Sequence, residues 1–314
     1  MPGTALDGSG GMTWVAVSLR RLAARSVSLV AASLLLAGVV GGVAPVTASA
    51  AGAAVRAPAA FSISGELFGV VATSASNAWA VGSAGSPERE ASLKTLILHW
   101  NGTAWKRVPS PSPLSSYLTG AAATSGSNAW AVGYTSIGTL VLHWNGKTWK
   151  RVSSPTPRSG SGPVPSVGGT VIGVTARSAA SAWAVGTTGD CGCGNGDSVI
   201  LSWNGTAWRQ VSSPTPAGGG GKDGASLRSV IATSANNAWA VGVSGCGCEP
   251  NTDWPFIVRW NGAAWKQVPS AIQSVNTWLS AVAATSADNA WAVGATAGGK
   301  TLIEHWNGTT WKLS

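Results

Sequence analysis

Charge, histidine and the smaller aromatics are all scarce in this 314-residue sequence. Only 10% of residues are charged, and although the balance is +9 the basic side chains stand singly. The dense basic stripe that phosphate contacts require is missing, which argues against nucleic acid as a partner. Three His and two Tyr leave too little for the Tyr and His ligand set of a copper-radical oxidase. Acidic residues number eleven, and none recurs at a fixed repeat position. A glycoside hydrolase or lyase needs a carboxylate pair within roughly 5 to 10 Å, and Asp190, Asp197, Glu249 and Asp253, all in loops, are what the chain offers. No stretch combines helical period with helical length. The expectation is therefore a protein that is more readily a binder than an enzyme, with no catalytic residue, cofactor or metal assigned.

What the chain has instead is tryptophan. Eighteen Trp stand against three Phe and two Tyr, in a sequence that is 45% apolar and so able to build a core. Such a ratio points to one Trp-bearing unit that has been copied.

The first fifty residues read as a signal peptide. Arg20, Arg21 and Arg25 precede the apolar run at 26–44, and Ala48-Ser49-Ala50 offers a small-residue cleavage site. A start at Met12 gives a basic region of ordinary length. An uncleaved anchor is the alternative, because the run approaches the span of a bilayer; its glycines and small residues favour cleavage. Export to the extracellular space or the cell surface follows, with no membrane attachment afterwards.

From there the sequence repeats. "NAWAVG" stands at 77–82, 128–133, 237–242 and 289–294, with "SAWAVG" at 181–186. Its Trp falls at 79, 130, 183, 239 and 291. Trp-Asn-Gly follows at 100–102, 144–146, 203–205, 260–262 and 306–308, and a third Trp comes at 105, 149, 208, 265 and 311. Each unit reads as four short strands, typified by 67–73, "AWAVG", 95–100 and 104–108, since Val, Ile, Leu and Trp sit between Gly, Ser, Asn and Pro. Asn-Gly between the last two strands predicts a two-residue hairpin turn, which would set Trp105 opposite Leu98 and diagonal to Trp100. Asn-Gly-Thr at 101, 204 and 307 also matches a glycosylation sequon, but units with Asn-Gly-Lys and Asn-Gly-Ala favour the turn.

Units of four strands that cannot bury their own faces predict an all-β fold, a β-propeller of five blades. The boundaries are 1–50 signal peptide, 51–66 linker and 67–314 propeller, with blades at about 67–117, 118–170, 171–226, 227–278 and 279–314. Each repeated Trp is then a wedge between neighbouring blades. "NAWAVG … TLILHWNGTAWKRV" resembles the Trp-rich repeats of secreted actinobacterial β-propeller proteins. It is similar, more distantly, to photosystem II assembly factor and sialidase Asp-box propellers. The Asp-box aspartate is missing here, Trp100 and its equivalents standing near its place, so the resemblance carries no sialidase chemistry.

One face of such a ring bears short, uniform turns; the other bears the variable loops, where binding usually resides. Trp254 and Trp278 belong to no repeat position, and Tyr117 fills the slot of Trp278. With Asp253, Asn251 and Asn276 for hydrogen bonds they form the candidate site, suited to stacking on sugar rings; capping of a blade edge is the alternative. The expected partner is a cell-wall or extracellular polysaccharide, or a surface protein, bound by a monomer. Cys191 and Cys193 lie in a loop matching that of Cys246 and Cys248, on adjacent blades. In an exported chain these favour disulfides, with a four-thiolate zinc site as the sharper alternative. Glu304 holds a slot that is Leu98, Leu142, Leu201 or Val258 elsewhere and is expected at a solvated strand end. Lys106, Lys150, Arg209, Lys266 and Lys312 follow the third Trp and are expected to guard an outer strand edge.

Overall fold

The computed structural model describes residues 63–85, 92–157, 168–189, 196–216, 224–245 and 253–314, all in the second of two compact units, Pro58–Ser314. The expected signal peptide and all four cysteines lie outside the described residues. Twenty strands fill the rest. Sheet 1 holds β1 (Gly65–Ser74), β2 (Asn77–Ala84), β3 (Lys94–Trp100) and β4 (Trp105–Arg107). Sheet 2 holds β5 (Tyr117–Ser125), β6 (Asn128–Thr135), β7 (Gly138–Trp144) and β8 (Trp149–Arg151). Sheet 3 holds β9 (Thr170–Ser178), β10 (Ser181–Thr187), β11 (Ser198–Trp203) and β12 (Trp208–Val211). Sheet 4 holds β13 (Ala225–Ser234), β14 (Asn237–Ser244), β15 (Trp254–Trp260) and β16 (Trp265–Gln267). Sheet 5 holds β17 (Thr277–Ala284), β18 (Ala290–Thr296), β19 (Thr301–Trp306) and β20 (Trp311–Leu313). In every sheet the strands neighbour one another in chain order and run antiparallel.

Each letter of the repeated hexapeptide has a physical task. The Asn side chain ties strands together: Asn77 Nδ2 donates to Thr73 Oγ1 at 2.5 Å, and its Oδ1 faces His99 Nε2 at 2.8 Å. Sheets 2 and 5 repeat the set with Thr124, Asn128 and His143 and with Thr285, Asn289 and His305. Sheet 3 replaces all three members at once, by Arg177, Ser181 and Ser202. The Trp and Val point to one face of the sheet and the two Ala to the other, by the period of two along a strand. The final Gly admits a neighbouring backbone: a Cβ at Gly82, Gly133, Gly186, Gly242 or Gly294 would lie 1.9 Å from a carbonyl oxygen of the first strand. That close approach accompanies a bulge in the first strand, between Leu67 and Gly69 in sheet 1.

Consecutive sheets pack face to face. At the first junction Trp79, Val81 and Ile97 meet Leu118, Ala129, Ala131, Leu140, Leu142 and Trp149. The same halves meet at the three following junctions, around Trp130, Trp183 and Trp239. The small Ala residues leave room for the indole, and burying an aromatic of this size removes 150 to 250 Å² from water. Each wedge Trp sits between two Trp of the next sheet. Trp79 lies 5.0 Å from Trp144 and 5.1 Å from Trp149, the latter edge to face. The wedge reading of the repeat therefore holds at all four junctions.

The hairpin between third and fourth strands differs from the expected two-residue turn. Trp100 pairs with Trp105 directly, and Leu98 pairs with Arg107. Asn101 N donates to the Ala104 carbonyl, closing a four-residue loop in which Gly102 alone takes positive φ, +96°. Asn101 Oδ1 accepts from Thr103 N and Ala104 N, both at 3.0 Å, so the asparagine is held by its side chain rather than by a left-handed backbone. The indole of Trp100 then reaches the other turn at the same end, donating to the Ala75 carbonyl at 2.9 Å. The basic residues after the third Trp are exposed on the outermost strands, as expected.

Candidate functional site

The segments that carry two of the candidate aromatics meet where sheet 4 hands over to sheet 5, with Trp254 on the face toward sheet 3 and Trp278 on the face of Trp291. Trp254 opens β15, opposite Ser244. Trp278 lies in β17, opposite Ala295. The two segments are joined by a backbone bond, Thr277 N to the Asp253 carbonyl at 3.2 Å. Both indoles are part-exposed while Thr277 between them is buried. Asn276 sets the chain's entry into β17: its φ of +57° is left-handed, a conformation asparagine tolerates, and its carbonyl accepts from Ala297 N at 2.7 Å. Asp253, Trp254, Asn276 and Trp278 thus occupy one end of one junction. Asn251 lies outside the described residues, as do Asp190 and Glu249.

Tyr117 occupies the slot of Trp278, as the sequence implied, and the local build is the same. Ser115 is left-handed at +53°, and Ser116 N donates to the Leu93 carbonyl of sheet 1 at 3.1 Å. It does not join Trp254 and Trp278, however, because it stands in sheet 2 and they stand in sheets 4 and 5. Its aromatic neighbour is Tyr134, missed in the sequence; the rings stack at 4.9 Å and 15°. The available signal was position, since Tyr134 directly follows the hexapeptide of the second unit and so faces Tyr117 across the pair.

Glu304 is a correction. It is fully buried, not a solvated strand end. Its Oε1 accepts from the Ser270 hydroxyl at 2.5 Å and its Oε2 from Ala271 N at 3.1 Å, both on the link from sheet 4. The reason lies one strand away. Ser110, the counterpart of Ser270, bonds Thr95 of its own sheet at 2.9 Å. Sheet 4 has Pro255 in the place of Thr95, which offers no hydroxyl, and Glu304 supplies the partner from the next sheet. Its role is to hold the link rather than to act on a ligand.

Arg259 replaces the histidine of sheet 4 and bridges the same junction. Its Nε donates to Asn237 Oδ1 and its Nη2 to the Ala287 carbonyl, both at 3.0 Å. The guanidinium lies 4.8 Å from the Trp239 ring centre and 5.3 Å from that of Trp306. In sheets 1 to 4 the indole equivalent to Trp306 donates to a turn carbonyl; here Arg259 takes that carbonyl, and the Trp306 N–H is buried without a partner. Burial lowers the pKa of His99 and of His143.

A groove of about 400 Å³ opens away from the aromatics, at the outer edge of sheet 1, lined by Lys94, Thr95, Arg107, Val108, Pro109, Ser110 and Ser112. Its hydroxyls bond one another, and it holds no titratable pair suited to catalysis. Among the described residues no cluster of three His, Cys, Asp or Glu could hold a metal ion; the thiolate alternative involves cysteines beyond them.

Antiparallel four-stranded sheets repeated in sequence and packed face to face through their wedges make this protein a β-propeller. No protein-family model and no curated protein matches the sequence. Among solved structures the chain is similar to a polysaccharide lyase of family PL25, an ulvan lyase, at TM-score 0.52 and 11% identity, covering 80% of this chain and 69% of that one. It is also similar to the six-bladed fucose-binding lectin of Aleuria aurantia, at TM-score 0.48 and 14% identity, covering 80% and 77%. YCF48 bound to a D1 peptide matches at TM-score 0.46 and 16% identity, covering 79% of this chain and 66% of that one. Likeness at these identities concerns the fold alone.

Proposed function

We propose that the protein is an exported, non-catalytic binding propeller whose ligand is an extracellular or cell-wall polysaccharide, or a surface protein. The observation that carries this reading is that the segments bearing Trp254 and Trp278 meet by a backbone bond, the two indoles standing on opposite faces of that meeting point. They are tryptophans outside the repeat, and the Thr277 to Asp253 bond holds their segments side by side at the loop-bearing end of the last junction. Part-exposed indoles on rigid strands offer flat apolar faces to a sugar ring or an aromatic side chain, with Asp253 and Asn276 beside them for polar contacts. The ulvan lyase to which the chain is similar is a polysaccharide lyase, and polysaccharide is one of these two classes.

A glycoside hydrolase or lyase is the second reading. It rests on Asp253 together with the loop acids Asp190, Asp197 and Glu249. Retention on insoluble polysaccharides, measured beside release of reducing sugar, separates the two. Retention without release, lost in Trp254→Ala and Trp278→Ala while the melting temperature holds, is the expected result. Release that disappears in Asp253→Ala would establish the enzyme instead.

A further inference from the structure

Every sheet carries two different halves of a junction. One is the wedge half: Trp79, Val81 and Ile97 in sheet 1 and its equivalents in sheets 2 to 4, all buried against the next sheet. The other is the receiving half, with Leu118, Ala129, Ala131, Leu142 and Trp149 in sheet 2. Four junctions use four of each, so one wedge half and one receiving half remain. In sheet 5 the wedge half lies open: Trp291 and Val293 are 41% exposed and Ile303 42%. In sheet 1 the receiving half is open at Leu67, 49% exposed, while Leu118, Val171, Leu227 and Leu279 in the same slot are buried completely; Ala80, Leu96 and Leu98 of that half are buried already, with Ile63 packed on them. Trp105 is likewise part-exposed where Trp149, Trp208, Trp265 and Trp311 are buried.

Among the described residues no core cluster joins these two halves. The four junctions are near copies of one another, with wedge-to-neighbour ring distances of 5.0 and 5.1, 5.0 and 5.1, 5.0 and 5.2, and 4.9 and 5.2 Å. The contacts that bury each wedge at those four junctions are missing at Trp291, Val293 and Ile303, which stay exposed.

We propose that the open wedge half of sheet 5 docks on the receiving half of sheet 1 of a second copy of this chain. The fit is one that the sequence already makes four times, and both partners of the missing contact are present on every copy. The incoming sheet displaces Ile63, which in the single chain packs against Ala80, Leu96 and Leu98 of the receiving half. Such a contact is heterologous, so each added copy presents a fresh open end until the assembly closes on itself. This replaces the monomer expected from the sequence and is independent of what Trp254 and Trp278 bind.

Light scattering after size exclusion, over about 1 to 100 µM protein, tests it with two variants at exposed positions, Trp291→Glu in the wedge half and Leu67→Glu in the receiving half. The native protein should gain mass with concentration, and each variant alone should remain a single chain with an unchanged far-UV spectrum. An equimolar mixture should form pairs and nothing larger, because each variant contributes the one half the other has lost. A native protein that stays monomeric throughout overturns the proposal, as does a mixture that fails to pair. Association that survives Leu67→Glu but not Trp291→Glu also overturns it, since that would be a symmetric contact between two fifth sheets.

Discussion

Replacing Trp130 by alanine, and separately replacing Trp291, compares one side chain at one repeat slot in two surroundings. Trp130 is completely buried, with its ring centre 4.2 Å from His143, 5.0 Å from Trp203 and 5.1 Å from Trp208. Removing it from a packed junction is expected to cost about 4 kcal/mol. Trp291 keeps its histidine, stacked at 4.2 Å, but meets no further sheet among the described residues and is 41% exposed. For a side chain that can bury about 250 Å², that exposure leaves on the order of 100 Å² in water. At about 25 cal/mol per Å² the forgone burial is roughly 2.5 kcal/mol, so Trp291→Ala should cost only about 1.5 kcal/mol. Urea unfolding followed by far-UV circular dichroism measures both, at about 1 µM protein so that association between copies does not cover Trp291. Fluorescence is unsuitable, because the remaining indoles would dominate it. Equal costs for the two substitutions would refute the assignment of the repeated Trp as a wedge whose worth comes from the following sheet.

In the hexapeptide glycine, Gly133→Ala should cost about 3 kcal/mol, because the new Cβ would lie 1.9 Å from the Tyr117 carbonyl oxygen. Gly126→Ala, whose nearest atom is 3.8 Å away, should stay within about 0.5 kcal/mol by the same unfolding assay. Glu304→Leu restores the residue class of the other sheets yet strands the Ser270 hydroxyl and Ala271 N–H. It should cost about 2 kcal/mol, of which adding Pro255→Thr should return about 1 kcal/mol in a double-mutant cycle. Burial lowers the pKa of His99 and His143 from 6.5. As pH falls through that value the unfolded chain takes up protons that the folded chain refuses, so stability should decline below pH 6.5 and His143→Gln should lessen the slope.

The strands and the wedges were legible in the sequence because their signals are local or strictly repeated. Trp79 and its equivalents recur at matching places, and alternation along "AWAVG" assigns the indole to one face and the alanines to the other. The hairpin register was not legible. Asn-Gly has one strong short-range meaning, and the asparagine at 101 escapes it by accepting hydrogen bonds on its side chain. Glu304 misled for a different reason: its partners lie on a link that precedes its own sheet, and only Pro255 hinted that Ser270 needed a new acceptor. Tyr134 was hidden by the attention a repeat draws to what recurs. That the wedge half of the fifth sheet stays exposed depends on what lies beyond it in space, which no count of repeats contains.

The closely approached glycine of each hexapeptide carries a consequence for how such a chain changes over generations. It fixes where the first two strands touch without reference to any other unit, while the wedge and its complement travel together within a single stretch of about 50 residues. Unequal recombination within the gene that adds or removes one whole stretch would leave every remaining interface intact, and the protein's stability would change by one neighbour interaction at a time. Lineages carrying this gene should therefore differ in length by entire units, whereas insertions confined to part of a unit should gather in the connections between its second and third strands.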